Sequence, residues 1–171
     1  DSTRRSTVNI HTAATTWHLR TAGDIDGDRL SDLIWQSPAG QVYCWFMNSN
    51  GTARSASYLL NAPTTWQVRA AGDIDGDGIA DLIWQLPGGN TLCWFMNTNG
   101  TPRAASYLLN TATSWRVKAA VDVGGDGISD LVWQLPTGQV YCWFMNTNGT
   151  ARSSFYIHTN ATAWQVRSAG R

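Results

Sequence analysis

The chain repeats itself every 49 residues, and that property restricts it to a ring or stack of equal units. Trp17, Trp66, Trp115 and Trp164 keep the period, as do Trp35, Trp84 and Trp133, and Trp45, Trp94 and Trp143. Those three registers account for all ten tryptophans. Cys44, Cys93 and Cys142 follow the same spacing, and so do Met47, Met96 and Met145. In the second copy, β-type runs at 66–71, 81–85, 91–97 and 105–109 are separated by turn signals. Pro87-Gly88-Gly89 marks one turn, and Asn99-Gly100 predicts a two-residue type I′ hairpin. No stretch has the length or period of a helix.

Four short strands in 49 residues is the size of one propeller blade. The third run is apolar on both faces: Leu92, Trp94 and Met96 alternate with Cys93 and Phe95. A blade held between two neighbours requires that pattern. A β-sandwich or β-solenoid would use the same strands, but sandwiches rarely repeat so closely and solenoid coils are usually shorter. The predicted fold is therefore all-β, a β-propeller built from four-stranded antiparallel blades. Residues 1–171 form a single repeat domain, with blades at 17–65, 66–114 and 115–163. Residues 1–16 supply a lone outer strand (7–11) and a linker, and residues 164–171 supply the first strand of an incomplete repeat. About three and a half blades per chain leave exposed sheet edges and apolar faces, so the expected partner is a second copy that completes the ring as a homodimer or other homo-oligomer.

The acidic residues are as ordered as the tryptophans. There is no Glu, and every Asp except Asp1 lies in residues 24–32, 73–81 or 122–130. The first of these segments carries Asp24, Asp26, Asp28 and Asp32, and the second Asp73, Asp75, Asp77 and Asp81. The third carries Asp122, Asp126 and Asp130, with Gly124 in place of an acid. Carboxylates at positions 1, 3, 5 and 9 of a tight loop can converge on one hard cation, which takes six to eight oxygens. Position 7 (Leu30, Ile79 and Ile128) would add a backbone carbonyl, and the glycine at position 4 allows the sharp turn. An EF-hand shares the opening D-x-D-G-D but needs a glutamate at position 12, where this chain has Trp35, Trp84 and Trp133. The expected cofactor is Ca²⁺, up to three ions per chain, with the third site weaker for want of one ligand. Arg29, where the other loops have Gly78 and Gly127, is expected to sit at a strained backbone angle.

The unit W-x-V-x-x-x-G-D-x-D-G-D-G-x-x-D-L-I-W resembles the FG-GAP/VCBS repeats of secreted and surface bacterial proteins, relatives of the integrin α-subunit propeller repeats. The likeness covers essentially the whole chain. It implies Ca²⁺ bound through the loop aspartates named above, an extracellular or cell-surface setting, and a role in binding or adhesion. Gly124 departs from the family pattern.

The remaining residues narrow the function classes. Lys and Arg balance Asp, so charge points neither to nucleic acid nor to a membrane surface, and no apolar run is long enough to insert in a membrane. No nucleophile–base set or phosphate loop is present, and every internal acid is committed to a loop, so no enzymatic role is expected. The cysteines read as small buried hydrophobes on separate blades. Trp17, Trp66, Trp115 and Trp164 open each first strand and are candidate sugar-stacking platforms. A carbohydrate-binding lectin is thus an alternative to protein adhesion, and a structural or assembly unit is a third reading. Arg54, Arg103 and Arg152 recur with the period, as do Arg20, Arg69, Lys118 and Arg167; either set could face an anion or simply solvent.

Overall fold

A computed structural model describes residues 9–11 and 15–167. It contains twelve strands in three four-stranded antiparallel sheets, each with its strands in sequence order. The first blade holds β1 (His18–Gly23), β2 (Asp32–Gln36), β3 (Val42–Met47) and β4 (Ala53–Leu60). The second holds β5 (Gln67–Gly72), β6 (Asp81–Gln85), β7 (Thr91–Met96) and β8 (Pro102–Leu109). The third holds β9 (Arg116–Val121), β10 (Asp130–Gln134), β11 (Val140–Met145) and β12 (Ala151–His158). The first strands β1, β5 and β9 lie side by side, as propeller blades converging on an axis require.

Packing between blades explains the two-faced apolar strands. One face of the first blade (Ile34, Val42, Leu60) packs against Trp84, Trp66 and Trp94 of the second. The second blade meets the third in the same way, with Ile83 and Leu109 against Trp133, Trp115 and Trp143. Trp84 and Trp133 are buried to 1% and 2% exposure, whereas Trp35, which faces away from both interfaces, is only half-buried.

A polar latch accompanies each apolar contact. Buried Gln85 donates from Nε2 to the Trp115 carbonyl (3.1 Å) and accepts at Oε1 from the Val117 amide (3.3 Å). Gln36 does the same to Trp66 and Val68, and Gln134 to Trp164 and Val166. Beside each latch the Thr64, Thr113 and Thr162 amides donate to Ala39, Gly88 and Thr137. The approach is so close that a Cβ on Gly89 would stand 2.2 Å from the Thr113 oxygen, and only glycine fits.

The structure departs from the sequence reading at three points. Gly100 has φ of 72° but Asn99 does not have a positive φ, so the hairpin is not type I′. The Gly100 amide donates to Asn97 and the Asn97 amide to Thr101, which makes a three-residue loop with glycine in the left-handed position. Asn99 Oδ1 accepts from both the amide and hydroxyl of Thr101, and this local capture selects the longer loop. The fourth strand consequently starts at Pro102, three residues before the expected 105. Finally, residues 9–11 and 164–167 carry no strand; residues 7, 8, 168 and 169 of the two expected lone strands lie outside the described residues.

Candidate metal centre

Each acidic loop joins the first strand of a blade to the second. In the second loop Asp73 Oδ1 accepts from the amides of Gly76 (2.7 Å) and Asp77 (3.0 Å), and Oδ2 accepts from Gly78 (2.8 Å). One side chain thus winds the whole turn. The turn needs left-handed backbone at positions 4 and 6, supplied by Gly76 (φ 77°) and Gly78 (φ 88°). The first loop repeats these bonds around Asp24, and Arg29 sits at φ 69°, the one non-glycine residue with positive φ among those described. The strain expected there from the sequence is present.

Asp81 is fully buried at the other end of the loop. Its Oδ2 accepts from Ile74 (3.1 Å) and its Oδ1 from Met96 on β7 (3.0 Å), so it clamps the loop to the third strand. Burial pushes its carboxyl up to about 7 despite those two amides, and neighbouring Asp75 and Asp77 add to the rise. Asp32 occupies the same clamp in the first blade, pushed up by burial to about 6. Burial also raises Asp26 and Asp73 above the usual carboxylate range. The loops therefore concentrate carboxylate charge where water solvates it poorly.

Position 3 points to what would relieve that cost. Asp26 Oδ1 and Asp75 Oδ1 are buried and have no hydrogen-bond partner. Carboxylate oxygens of Asp24, Asp26 and Asp28 lie within 4.8 Å of one another, as do those of Asp73, Asp75 and Asp81. A buried orphan oxygen in a converged acidic group fits a hard cation. Leu30, Ile79 and Ile128 are held in place by amide bonds to Asp28, Asp77 and Asp126.

The third loop is different. Asp122 winds the turn as its counterparts do, and Asp126 and Asp130 keep their places. Gly124 removes the position-3 carboxylate, and its amide donates to Asp130 Oδ2 (3.0 Å), a bond the other loops lack. Among the described residues no third group of converged acids forms.

Arg54, Arg103 and Arg152, one of the two basic series noted from the sequence, belong to these loops. Arg103 on β8 binds Asp75 Oδ2 and Asp77 Oδ2 (2.5 Å to the latter) and stacks 5.8 Å above the Phe95 ring. Arg54 pairs with Asp26 and Asp28 in the first blade, and Arg152 with Asp126 in the third. Their period was legible; their target was not, because the hairpin that carries them folds back over the loop only in three dimensions.

The four candidate ligand-binding tryptophans sit in differing surroundings. Trp17 lies tilted beside Tyr43 and Tyr58 (6.1 Å to each) at the edge of a cavity of about 330 Å³ that Trp35, Trp45 and His11 also line. Trp66 meets Tyr107, and Trp115 meets Tyr141 and Tyr156. Trp164 is 83% exposed. The tyrosines were not picked out from the sequence, although Tyr58, Tyr107 and Tyr156 also keep the 49-residue period. The three cysteines are buried and unpaired, and burial raises the Cys142 thiol to about 11.

Comparison with known proteins agrees with this geometry. No curated protein matches the chain at the sequence level. A solved structure described as the basis of specific recognition of non-reducing terminal N-acetylglucosamine by a lectin of Agrocybe aegerita superposes with a TM-score of 0.59 at 18% identity. The match covers 84% of this chain and 38% of the lectin, so the chain spans well under half of that structure. The pattern of the FG-GAP-like repeat matches twice, over residues 24–84 and 73–133, each match running from one acidic loop into the second strand of the following repeat. The chain belongs to the FG-GAP-like repeat family.

Proposed function

We propose that this chain is a calcium-stabilised, non-catalytic binding module whose ligand is carbohydrate. The buried, unpartnered Oδ1 atoms of Asp26 and Asp75 support the calcium part most directly. A cation there would neutralise acids that burial already disfavours. The first two loops keep an acid at all four positions, three of which converge in each, and Gly124 makes the third site weaker. An extracellular or surface setting, where free calcium is abundant, suits such loops.

Carbohydrate is favoured over a protein ligand by the Trp–Tyr groups, which recur once per blade and in which Tyr58, Tyr107 and Tyr156 are about half exposed. The recognition of N-acetylglucosamine by the Agrocybe aegerita lectin, whose fold this chain shares in part, supports the same ligand class. A second copy of the chain remains part of the reading. The face of the first blade with Trp35 and Trp45 matches those that Trp84 and Trp133 bury inside the chain. The opposite face of the third blade, with Val140 and His158, matches the one that covers them. Head-to-tail contact between copies would bury both.

Thermal melts in calcium and in chelator test the metal. A ligand at a hundredfold excess over its Kd stabilises by about 2.7 kcal/mol per site, several degrees for a chain of this size. Identical midpoints, with the chelated sample shown to be metal-free, would remove calcium from the reading. A glycan array in calcium tests the ligand, and light scattering in calcium tests the assembly: a blank array or a mass of 18.7 kDa defeats the respective part.

A further inference from the structure

The second basic series, Arg20, Arg69, Lys118 and Arg167, has no role in the loops. Each of the first three is the residue skipped in the pairing of a first strand with its neighbour. Leu19 pairs with Trp35 and Thr21 with Ile34, passing over Arg20. Val68 and Ala70 bracket Arg69, and Val117 and Ala119 bracket Lys118, in the same manner. A β-bulge leaves its extra residue out of the ladder and re-aims the side chain. Without it, Arg69, between buried Val68 and Ala70, and Lys118, between buried Val117 and Ala119, would be driven against a neighbouring blade. Three blades spend an extra residue to keep one cation each at the inner strands.

These side chains converge. Together with Val68 and Val117 they line an open cavity of about 450 Å³ where β1, β5 and β9 adjoin. Arg69 reaches across to the next blade, where its Nε donates to the Val117 carbonyl (3.4 Å), and Lys118 Nζ reaches Gln165 Oε1 (3.4 Å). No carboxylate answers them among the described residues: all five ion pairs join a loop aspartate to Arg54, Arg103 or Arg152. Arg69 is pushed below the usual arginine range by burial, and Arg116 and Arg20 add repulsion. Lys118 is lowered by burial and by Arg69 and Arg167. Like charges gathered in a recess with no counter-ion are costly to the fold unless something negative fills the recess.

We propose that this axial file of cations is a binding site for a multivalent oxyanion: a sulfate or phosphate group, free or esterified on a sugar. A tetrahedral anion offers several acceptors to donors that approach from different strands, and each contact is a charge-assisted hydrogen bond. The site lies on the inner strands and is distinct from the acidic loops and the Trp–Tyr groups.

Calorimetric titration of the calcium-loaded protein with sodium sulfate, against sodium chloride of equal ionic strength, tests the proposal. The native chain is expected to give saturable binding of sulfate that chloride does not reproduce. Lys118→Gln should weaken it roughly tenfold or more, the fold-change of one charge-assisted bond, and Arg69→Gln/Lys118→Gln should abolish it. The double variant should also melt higher than the native chain in chloride alone, because it loses the repulsion. A sulfated disaccharide that binds more tightly than sulfate identifies a glycan source, and equal affinity identifies the free anion. No saturable sulfate binding by the native chain, or equal binding by the double variant, overturns the site.

Discussion

Replacing Gln85 with leucine isolates what the latch between blades contributes. Leucine is apolar and one bond shorter, and it can neither donate nor accept. The substitution strips the partner from the Val117 amide and the Trp115 and Gly89 carbonyls, and from Thr91 Oγ1. Val117 is 1% exposed and Thr91 fully buried, so water cannot replace these bonds without opening the interface. A buried polar group left unsatisfied costs about 1–3 kcal/mol. Thr91 can keep its bond to the Gly89 carbonyl, which leaves the Val117 and Trp115 groups as the main loss. Two such groups give about 2–6 kcal/mol, partly offset by the apolar gain of leucine. Gln134→Leu makes the same chemical change where the partners Trp164 and Val166 are exposed and half-buried, so water can take over and the cost should stay under about 1 kcal/mol. Urea unfolding in calcium, read by tryptophan fluorescence, compares the two variants with the native chain. Equal losses from both, or a Gln85→Leu loss below about 1 kcal/mol, would show that the latch is not what couples the blades.

Metal-free protein should lose stability as pH rises from about 4 to about 7. Asp81 and Asp32 are raised in the folded chain to about 7 and about 6, so over that window the folded state holds protons the unfolded chain has released, and the penalty is complete above pH 7. Calcium should flatten or reverse the slope because it binds the ionised form; chelated melts at pH 5 and pH 8 with equal midpoints would contradict the buried-acid account. Gly124→Asp should strengthen calcium binding at the third loop in titration calorimetry, and Arg152, whose Nη2 would stand 3.3 Å from the new Cβ, should swing to pair with it as Arg103 does with Asp75. Arg29→Gly should stabilise the chain by up to about 1 kcal/mol in chemical unfolding by relieving φ of 69°, and a loss would place the value of Arg29 in its side chain.

What the sequence could reveal was whatever the period made visible. Tryptophan spacing showed how many blades to expect, and apolar patterning on both faces of 91–96 showed that blades are covered on both sides. The acidic loops were legible because ligand positions lie within nine residues of each other. Gln36, Gln85 and Gln134 also keep the period, yet nothing local marks them as latches, because their partners lie 30 and 32 residues onward. The bulges at Arg20, Arg69 and Lys118 were hidden for a related reason: a skipped residue is defined by the strand opposite. Asn99-Gly100 misled because the dipeptide signal ignores Thr101, whose bonds to Asn99 lengthen the loop.

The acidic loops also have a second attachment, to the neighbouring blade. The Asp24 carbonyl accepts from the Ala80 amide (2.7 Å), and the Asp73 carbonyl from Ser129 (2.6 Å). Position 1 of one loop is thereby bonded to position 8 of the next. Ile25 and Ile74, at position 2, are fully buried in the interfaces with the following blade, whereas Val123 in the third loop is 44% exposed. Residues that wind the loop are the same ones that dock it on its neighbour. A cation that fixes Asp24 and Asp26 therefore also fixes the Asp24 carbonyl and Ile25 against the second blade. Calcium acting here would tighten contacts between blades as well as the loop it occupies. The third loop, which lacks a ligand at Gly124 and has Val123 exposed at its free face, would gain most from a docked neighbour.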